Sequence, residues 1–365
     1  MPVKVLVISD YRDYHSARPE SNIFIGLARL GYDITLMTYK EGRMAEEMES
    51  AGIRVLDFHP TKKFDKKEIK IIRQYLVDHN IDIMHLFNSE GIVNGIRAAK
   101  GLPVKVILYR GFCGHIHWYD PSAYFKFLHP RVDYIHCNSI GVEQLIRRNL
   151  LFSSKDKAIT INKGHNVDWY NNYQPRDIRK ELGIEPDSFL LVTVANNRKM
   201  KGIPYLLKAF NLLPRDANIH LLLVGKNMDS KSNIALVASG GNQHKVHFTG
   251  FQKNALEIVA ACNVFVLPSI YGESITKSVI EAMCLSVAPV ITDIPGNIEL
   301  MKNGESGLVV PAKNPSAMAA ALLSLYNDRT LLQQLGTNAR EHIRNHLNEK
   351  RTITEMDALY KRILS

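Results

Sequence analysis

The stretch FLLVTVANNRKMKGIPYLLKAF, residues 189–210, changes its periodicity within a single turn of sequence. Residues 189–195 form a near-continuous apolar run of strand length, without the polar alternation of a sheet that has one wet face. NNRKMKG then interrupts it with polar and basic residues and ends on Gly202, which opens a helical pattern carried by Ile203, Leu206, Leu207 and Phe210. A strand covered on both faces, followed by a loop and a helix, is the repeating half of a βαβ unit and belongs in a parallel sheet.

The same unit recurs in both directions. Upstream, strands are expected at 3–9, 33–39, 53–58, 81–87, 104–110 and 132–138, with helices at 22–30 and 66–79. Downstream, strands are expected at 220–224, 246–248, 264–267 and 289–292. Between the two series lies the polar, aromatic stretch GHNVDWYNNYQPRD, residues 164–177, which reads as a linker. The expectation is an α/β chain of two doubly wound domains, residues 1–165 and 166–345. Residues 346–365 form a last helix that packs back on the first domain. Ligands of such folds sit beyond the carboxyl ends of the strands, so the site is expected in a cleft between two facing domains.

Bulk properties narrow the function. With 365 residues and 45% apolar content, the chain can bury two sizeable cores, and no apolar run approaches the ~20 residues of a membrane span. MPVKVLVISD enters a strand directly with no cleavage-site pattern, so a cytoplasmic protein is expected. Cys113, Cys137, Cys262 and Cys284 have no metal-ligand spacing. The net charge of +10 points to an anionic partner, but neither a zinc-finger spacing nor an RNP-like motif supports nucleic acid. The densest basic block is KKFDKKEIKIIR, residues 62–73, with apolar residues interleaved. It reads either as a solvated helix face or as peripheral contact with an anionic membrane at the inner face of the cell membrane.

Chemistry concentrates in the loops after the second-domain strands. Arg198, Lys199 and Lys201 precede a helix start, a plausible phosphate site. YGESITKSVIEAM, residues 271–283, puts Glu273 just before a helix expected to begin near 275–277, and Glu281 inside it. The amides of Ser274, Ile275, Thr276 and Lys277 then lie between two carboxylates. That layout suits a sugar diphosphate, with carboxylates on hydroxyls and amides on phosphate. The plainer alternative is a capping box, Ser278-x-x-Glu281, in which Glu281 only satisfies a backbone amide. GxSxG and GxxxxGK[ST] are absent, and so is any Asp-x-Asp, so no metal or other cofactor is expected and protein cations would have to stabilise a leaving diphosphate.

The ordered segments INKGHNVDW, RKMKGIPYLLKAF, LLLVG, VHFTGF, NVFVLPS, GESITKSVIEAM and VITDIPGNIELMKNGESGLVVP resemble those of retaining GT-B glycosyltransferases of family 4, the bacterial cell-surface polysaccharide and lipopolysaccharide type. The resemblance implies two Rossmann-like domains, an acceptor-side one first and a nucleotide-sugar-binding one second. It also implies transfer of a sugar from a nucleotide-diphosphate donor to a glycan or glycolipid hydroxyl. By the same resemblance Lys201 contacts the diphosphate, Glu273 the transferred sugar and Glu281 the ribose, while Gly250 and Phe251 lie against the base. The family arginine is replaced by Asn196, with Arg198 as its substitute. Arg110, His115 and His117 stand where the family places a histidine facing the sugar, and His115 is counted with Glu273, Lys201 and Arg198 among the catalytic candidates. A sugar-nucleotide epimerase or a non-catalytic nucleotide-sugar-binding partner on the same scaffold is the alternative.

Overall fold

A computed structural model of the chain describes residues 2–114, 116–151 and 154–365. It forms two compact units. Unit 1 comprises Met1–Gly164 and Asn348–Ser365, and unit 2 comprises His165–Leu347.

Unit 1 is built on a parallel sheet of β1 (Lys4–Ile8), β2 (Asp33–Thr38), β3 (Arg54–Asp57), β4 (Ile83–Leu86), β5 (Lys105–Arg110), β6 (Tyr134–Cys137) and β7 (Ala158–Thr160). The strands are ordered β3-β2-β1-β4-β5-β6-β7, so the winding reverses between β1 and β4. Val5 to Ile8 are wholly buried because helices cover both faces. Ile72, Leu76, Ile92, Ile96, Val142 and Ile146 form one cluster; Phe24, Leu27, Met44, Met48, Met356 and Tyr360 form the other. The expected helix at 22–30 instead spans Tyr14–Arg29, with Pro19 inside it. Asp13 caps it by accepting from the Ser16 amide (3.4 Å), and Glu20 and Ser21 are buried within what reads locally as a polar, proline-broken loop.

Unit 2 repeats the plan with β8 (Phe189–Val194), β9 (Ile219–Val224), β10 (Val246–Gly250), β11 (Val264–Leu267), β12 (Ala288–Thr292) and β13 (Leu308–Val310). Their order is β10-β9-β8-β11-β12-β13, all parallel, and the reversal falls between β8 and β11. The stretch 164–177 is not a free linker. The His165 amide donates to Leu347 O (2.8 Å), and Val167 and Tyr170 are buried in the unit 2 core. Its aromatic residues are core groups, which is why a polar composition misled.

Candidate functional site

The reversal in unit 2 brings the loops after β8 and β11 side by side, at the carboxyl ends where doubly wound folds place ligands. Gly202 sits at φ +65°, and a Cβ there would stand 2.0 Å from Pro268 O. Only glycine permits that approach. The Ile270 amide closes the gap by donating to Met200 O (2.8 Å). With the two backbones pinned, the Lys201 ammonium lies 2.6 Å from Glu273 Oε1, and both side chains are largely buried.

Glu273 is held by more than the lysine. Ser269 Oγ donates to Oε1 (2.7 Å) and Thr276 Oγ1 to Oε2 (3.3 Å). Ser269 is itself fixed, since Thr292 Oγ1 donates to its carbonyl (2.5 Å) and Asn297 Nδ2 donates to Thr292 Oγ1 (3.2 Å). Gly296, at φ +89°, lets the loop after β12 press on Glu273, where a Cβ would lie 2.8 Å from the Glu273 carbonyl. A carboxylate carrying this many donors is rigid, and among the described residues its Oε2 bears only the long Thr276 contact.

The helix Lys277–Cys284 begins where the spacing expected it. Its N-cap residue Thr276 makes no side-chain cap, because the hydroxyl is committed to Glu273 and to Ser274 O. Ser274 and Thr276 are buried and Ile275 is half-buried. The capping-box alternative fails on register: Ser278 is inside the helix, and the Glu281 carboxylate pairs with the Lys277 ammonium one turn back. A buried acid–base pair beside an uncapped helix start can receive an anionic group on the amides and hydroxyl groups on the carboxylates.

The other candidates in unit 2 line the same edge. Asn196 and Arg198 are exposed, and Asn196 Oδ1 accepts from the Lys226 amide (3.3 Å). Gly250 O accepts from the Gly225 amide (2.8 Å), while Phe251 is 66% exposed with the Lys226 ammonium 5.4 Å from its ring centre. Arg110 and His117 belong to unit 1. Arg110 is buried and folded back on its own loop: Nε donates to Phe112 O (3.0 Å), Nη2 donates to Gly114 O, and burial pushes its pKa down to about 10. His117 is exposed and stacked on Tyr119. His115 lies outside the described residues.

One polar cluster went unread. At the carboxyl ends of β1 and β7, Glu20 accepts from Ser9 Oγ (2.6 Å) and pairs with Lys163, whose ammonium lies 3.9 Å from the Tyr109 ring centre. Burial acts to lower the Lys163 pKa, but Glu20 and Tyr109 outweigh it and hold the group above the ordinary lysine value. Lys163 lies within INKGHNVDW, yet nothing local marks it as the partner of an acid 143 positions away.

Comparison with known proteins bears on the fold. The family described as glycosyl transferases group 1 matches residues 174–342, which carry every unit 2 candidate. A glycosyltransferase from Rickettsia africae superposes over 100% of this chain and 99% of its own with a TM-score of 0.81 at 18% identity. The chain has the GT-B fold. An Anabaena GT-B structure in complex with UDP superposes with a TM-score of 0.76 at 16% identity, covering 99% of this chain and 100% of that one. In sequence, the chain is 25% identical to an uncharacterized glycosyltransferase of Methanocaldococcus jannaschii over 68% of this chain and 63% of the relative. It is 27% identical, over 75% of this chain and 76% of the relative, to the N,N'-diacetylbacillosaminyl-diphospho-undecaprenol alpha-1,3-N-acetylgalactosaminyltransferase of Campylobacter jejuni. The matched part spans between 47% and 63% of three of the curated relatives. No described helix is long and apolar enough to cross a membrane, and no group of three or more His, Cys, Asp or Glu among the described residues is placed to hold a metal.

Proposed function

We propose that this GT-B chain is a retaining, metal-independent glycosyltransferase of family 4 that moves a sugar from a nucleotide-diphosphate donor to an acceptor hydroxyl in cell-surface glycan or lipopolysaccharide assembly. The observation that carries the reading is the buried Lys201–Glu273 pair set against the uncapped start of the helix Lys277–Cys284. In this reading Lys201 and the amides from Ser274 to Lys277 take the diphosphate, with Arg198 adding charge from the exposed rim. Glu273 takes hydroxyls of the transferred sugar. Glu281 exchanges its Lys277 partner for the ribose diol, and Gly250 and Phe251 lie against the base. The charge that develops on the leaving diphosphate is met by groups already in place, so little reorganisation is needed as the glycosidic bond breaks. Unit 1 is the acceptor side. A peripheral position at the inner face of the membrane fits the exposed Phe64 and Ile71 within the basic block 62–73.

A thermal-shift panel of UDP-, GDP-, ADP- and TDP-sugars tests the donor class, since a ligand at ~100 times its Kd stabilises by ~2.7 kcal/mol. Turnover with retained anomeric configuration, read by NMR, and its loss in Lys201→Ala and Glu273→Ala are expected. Silence from every nucleotide sugar, or full activity in both variants, overturns the reading.

A further inference from the structure

Unit 1 carries a second polar constellation at its own strand ends, where the winding reverses between β1 and β4. β4 leads into the helix Ser89–Ala98, whose N-cap residue Asn88 makes no side-chain cap. The Asn88 Oδ1 is turned away, accepting from the Asp10 amide (2.6 Å) and sharing a 3.1 Å contact with His59 Nε2. The first amides of this helix are therefore left without a capping side chain. Lys126 reaches that end and donates to Ser89 Oγ (2.7 Å). The parallel register pairs Leu86 with Leu108, which brings Arg110, two residues on, alongside Asn88. Phe127, next to Lys126, lies beneath the Arg110 guanidinium at 5.0 Å.

Neither cation has a carboxylate at ion-pair distance among the described residues, although Arg110 is only 7% exposed. Elsewhere in this unit the buried lysine, Lys163, is matched by Glu20. Glu90, in the first turn of the helix, acts on Lys126, and the Lys63 ammonium lies 3.8 Å from it. Retaining a buried guanidinium and a half-buried ammonium with no counter-charge is costly unless an anion arrives from outside. Desolvation lowers the pKa of both groups, and the charges of Lys63 and Arg110 add to the lowering at Lys126 against Glu90, the expected behaviour of a site awaiting negative charge.

From this juxtaposition we infer that Arg110, Lys126, Ser89 and the amides at the start of the helix Ser89–Ala98 bind a phosphate group, so that the acceptor is a phosphate-bearing molecule. The inference rests on the proposed transferase reading and names the acceptor class. Phosphate takes several donors at once, which suits a helix start, a hydroxyl, an ammonium and a guanidinium. The chemistry is common to a soluble phosphomonoester and to a lipid phosphate headgroup.

The test titrates the full chain, already saturated with whichever nucleoside diphosphate stabilises it, with two probes. One is glycerol 3-phosphate; the other is vesicles of phosphatidylcholine alone or equimolar with phosphatidic acid. Binding of the first alone identifies a soluble acceptor, and binding only of the phosphatidic-acid vesicles identifies a lipid one. In either case Lys126→Gln and Arg110→Lys should weaken it about tenfold or more, the loss of one charge-assisted bond. Lys126→Arg should retain it, and nucleotide binding should be unchanged in all three. Because Arg110 also braces its loop, Lys126→Gln keeps the test decisive if Arg110→Lys fails to fold. Nucleotide binding with no response to either probe, or equal binding by wild type and Lys126→Gln, overturns the inference. Absence of nucleotide binding strikes the donor reading instead.

Discussion

Replacing Lys201 by Met removes the cation facing Glu273 while keeping most of the side-chain volume. The carboxylate is 7% exposed and its ammonium partner is 2.6 Å away, so the variant strands a buried charge. Breaking such a pair costs about 3–5 kcal/mol when nothing replaces the partner. Ser269 and Thr276 still donate to Glu273, which puts the expected loss near the bottom of that range, about 3 kcal/mol. For a unit of this size that corresponds to a fall in Tm of roughly 6–12 °C. Glu273→Gln should cost less, because the amide oxygen still accepts from Ser269 and the freed ammonium can swing toward water. In the double variant no unpaired charge remains, so its stability should recover relative to Lys201→Met. The assay is a double-mutant cycle by urea unfolding, with transferase activity measured in parallel. A coupling of about 1.5 kcal/mol or more is expected, together with loss of activity in all three variants. Additive stabilities would show that the pair is not coupled and refute the reasoning.

Three further outcomes follow from the same geometry. Gly202→Ala places a Cβ 2.0 Å from Pro268 O and a non-glycine residue at φ +65°, so the Lys201 loop must move; transfer should collapse, while a nucleotide-free crystal structure shows the loop displaced. Lys163→Met leaves Glu20 buried without its cation and should destabilise unit 1 by about 3–5 kcal/mol, read by hydrogen exchange in β1 and β7. His136 is wholly buried, and burial pulls its pKa down to about 3, from an ordinary value near 6.5. The unfolded chain then takes up a proton that the folded chain refuses, so stability falls as pH drops below about 6.5, by about 1.4 kcal/mol per unit until about pH 3. His136→Gln should flatten that dependence in urea melts between pH 7 and 5, and an unchanged slope would remove His136 as its source.

What the sequence made legible was whatever repeats locally. The central strands announce themselves because Val5 to Ile8 and Leu190 to Val192 are apolar on both faces, and the start of the helix Lys277–Cys284 follows from Gly272 and the apolar spacing after it. Glu273 and Lys201 could be named individually, but their 2.6 Å contact spans 72 positions and depends on β8 lying beside β11. Pairings of that kind have no local signal. The same holds for Glu20 and Lys163, and for Arg110, whose position beside Asn88 is a matter of register. The helix Tyr14–Arg29 starts ahead of the expected residue 22 because tertiary burial of Glu20 and Ser21 overrides the local preference of Pro19 and the polar run around it for a loop. Short β7 and β13 are three residues each, too brief for periodicity to register.

The helix Glu349–Leu364 completes unit 1 rather than the unit that precedes it in the chain, with Met356, Leu359, Tyr360 and Ile363 buried and the Tyr360 hydroxyl 2.9 Å from His85 Nδ1. On the ribosome this imposes an order. Unit 2 is contiguous and can close as soon as Leu347 has emerged, whereas β1 to β7, which precede it, must wait with an open apolar flank until Glu349–Leu364 has emerged. Of the two units, the one whose strands are translated earlier therefore matures later, and chaperones would find their longer-lived client surface along Phe24, Leu27 and Ile34.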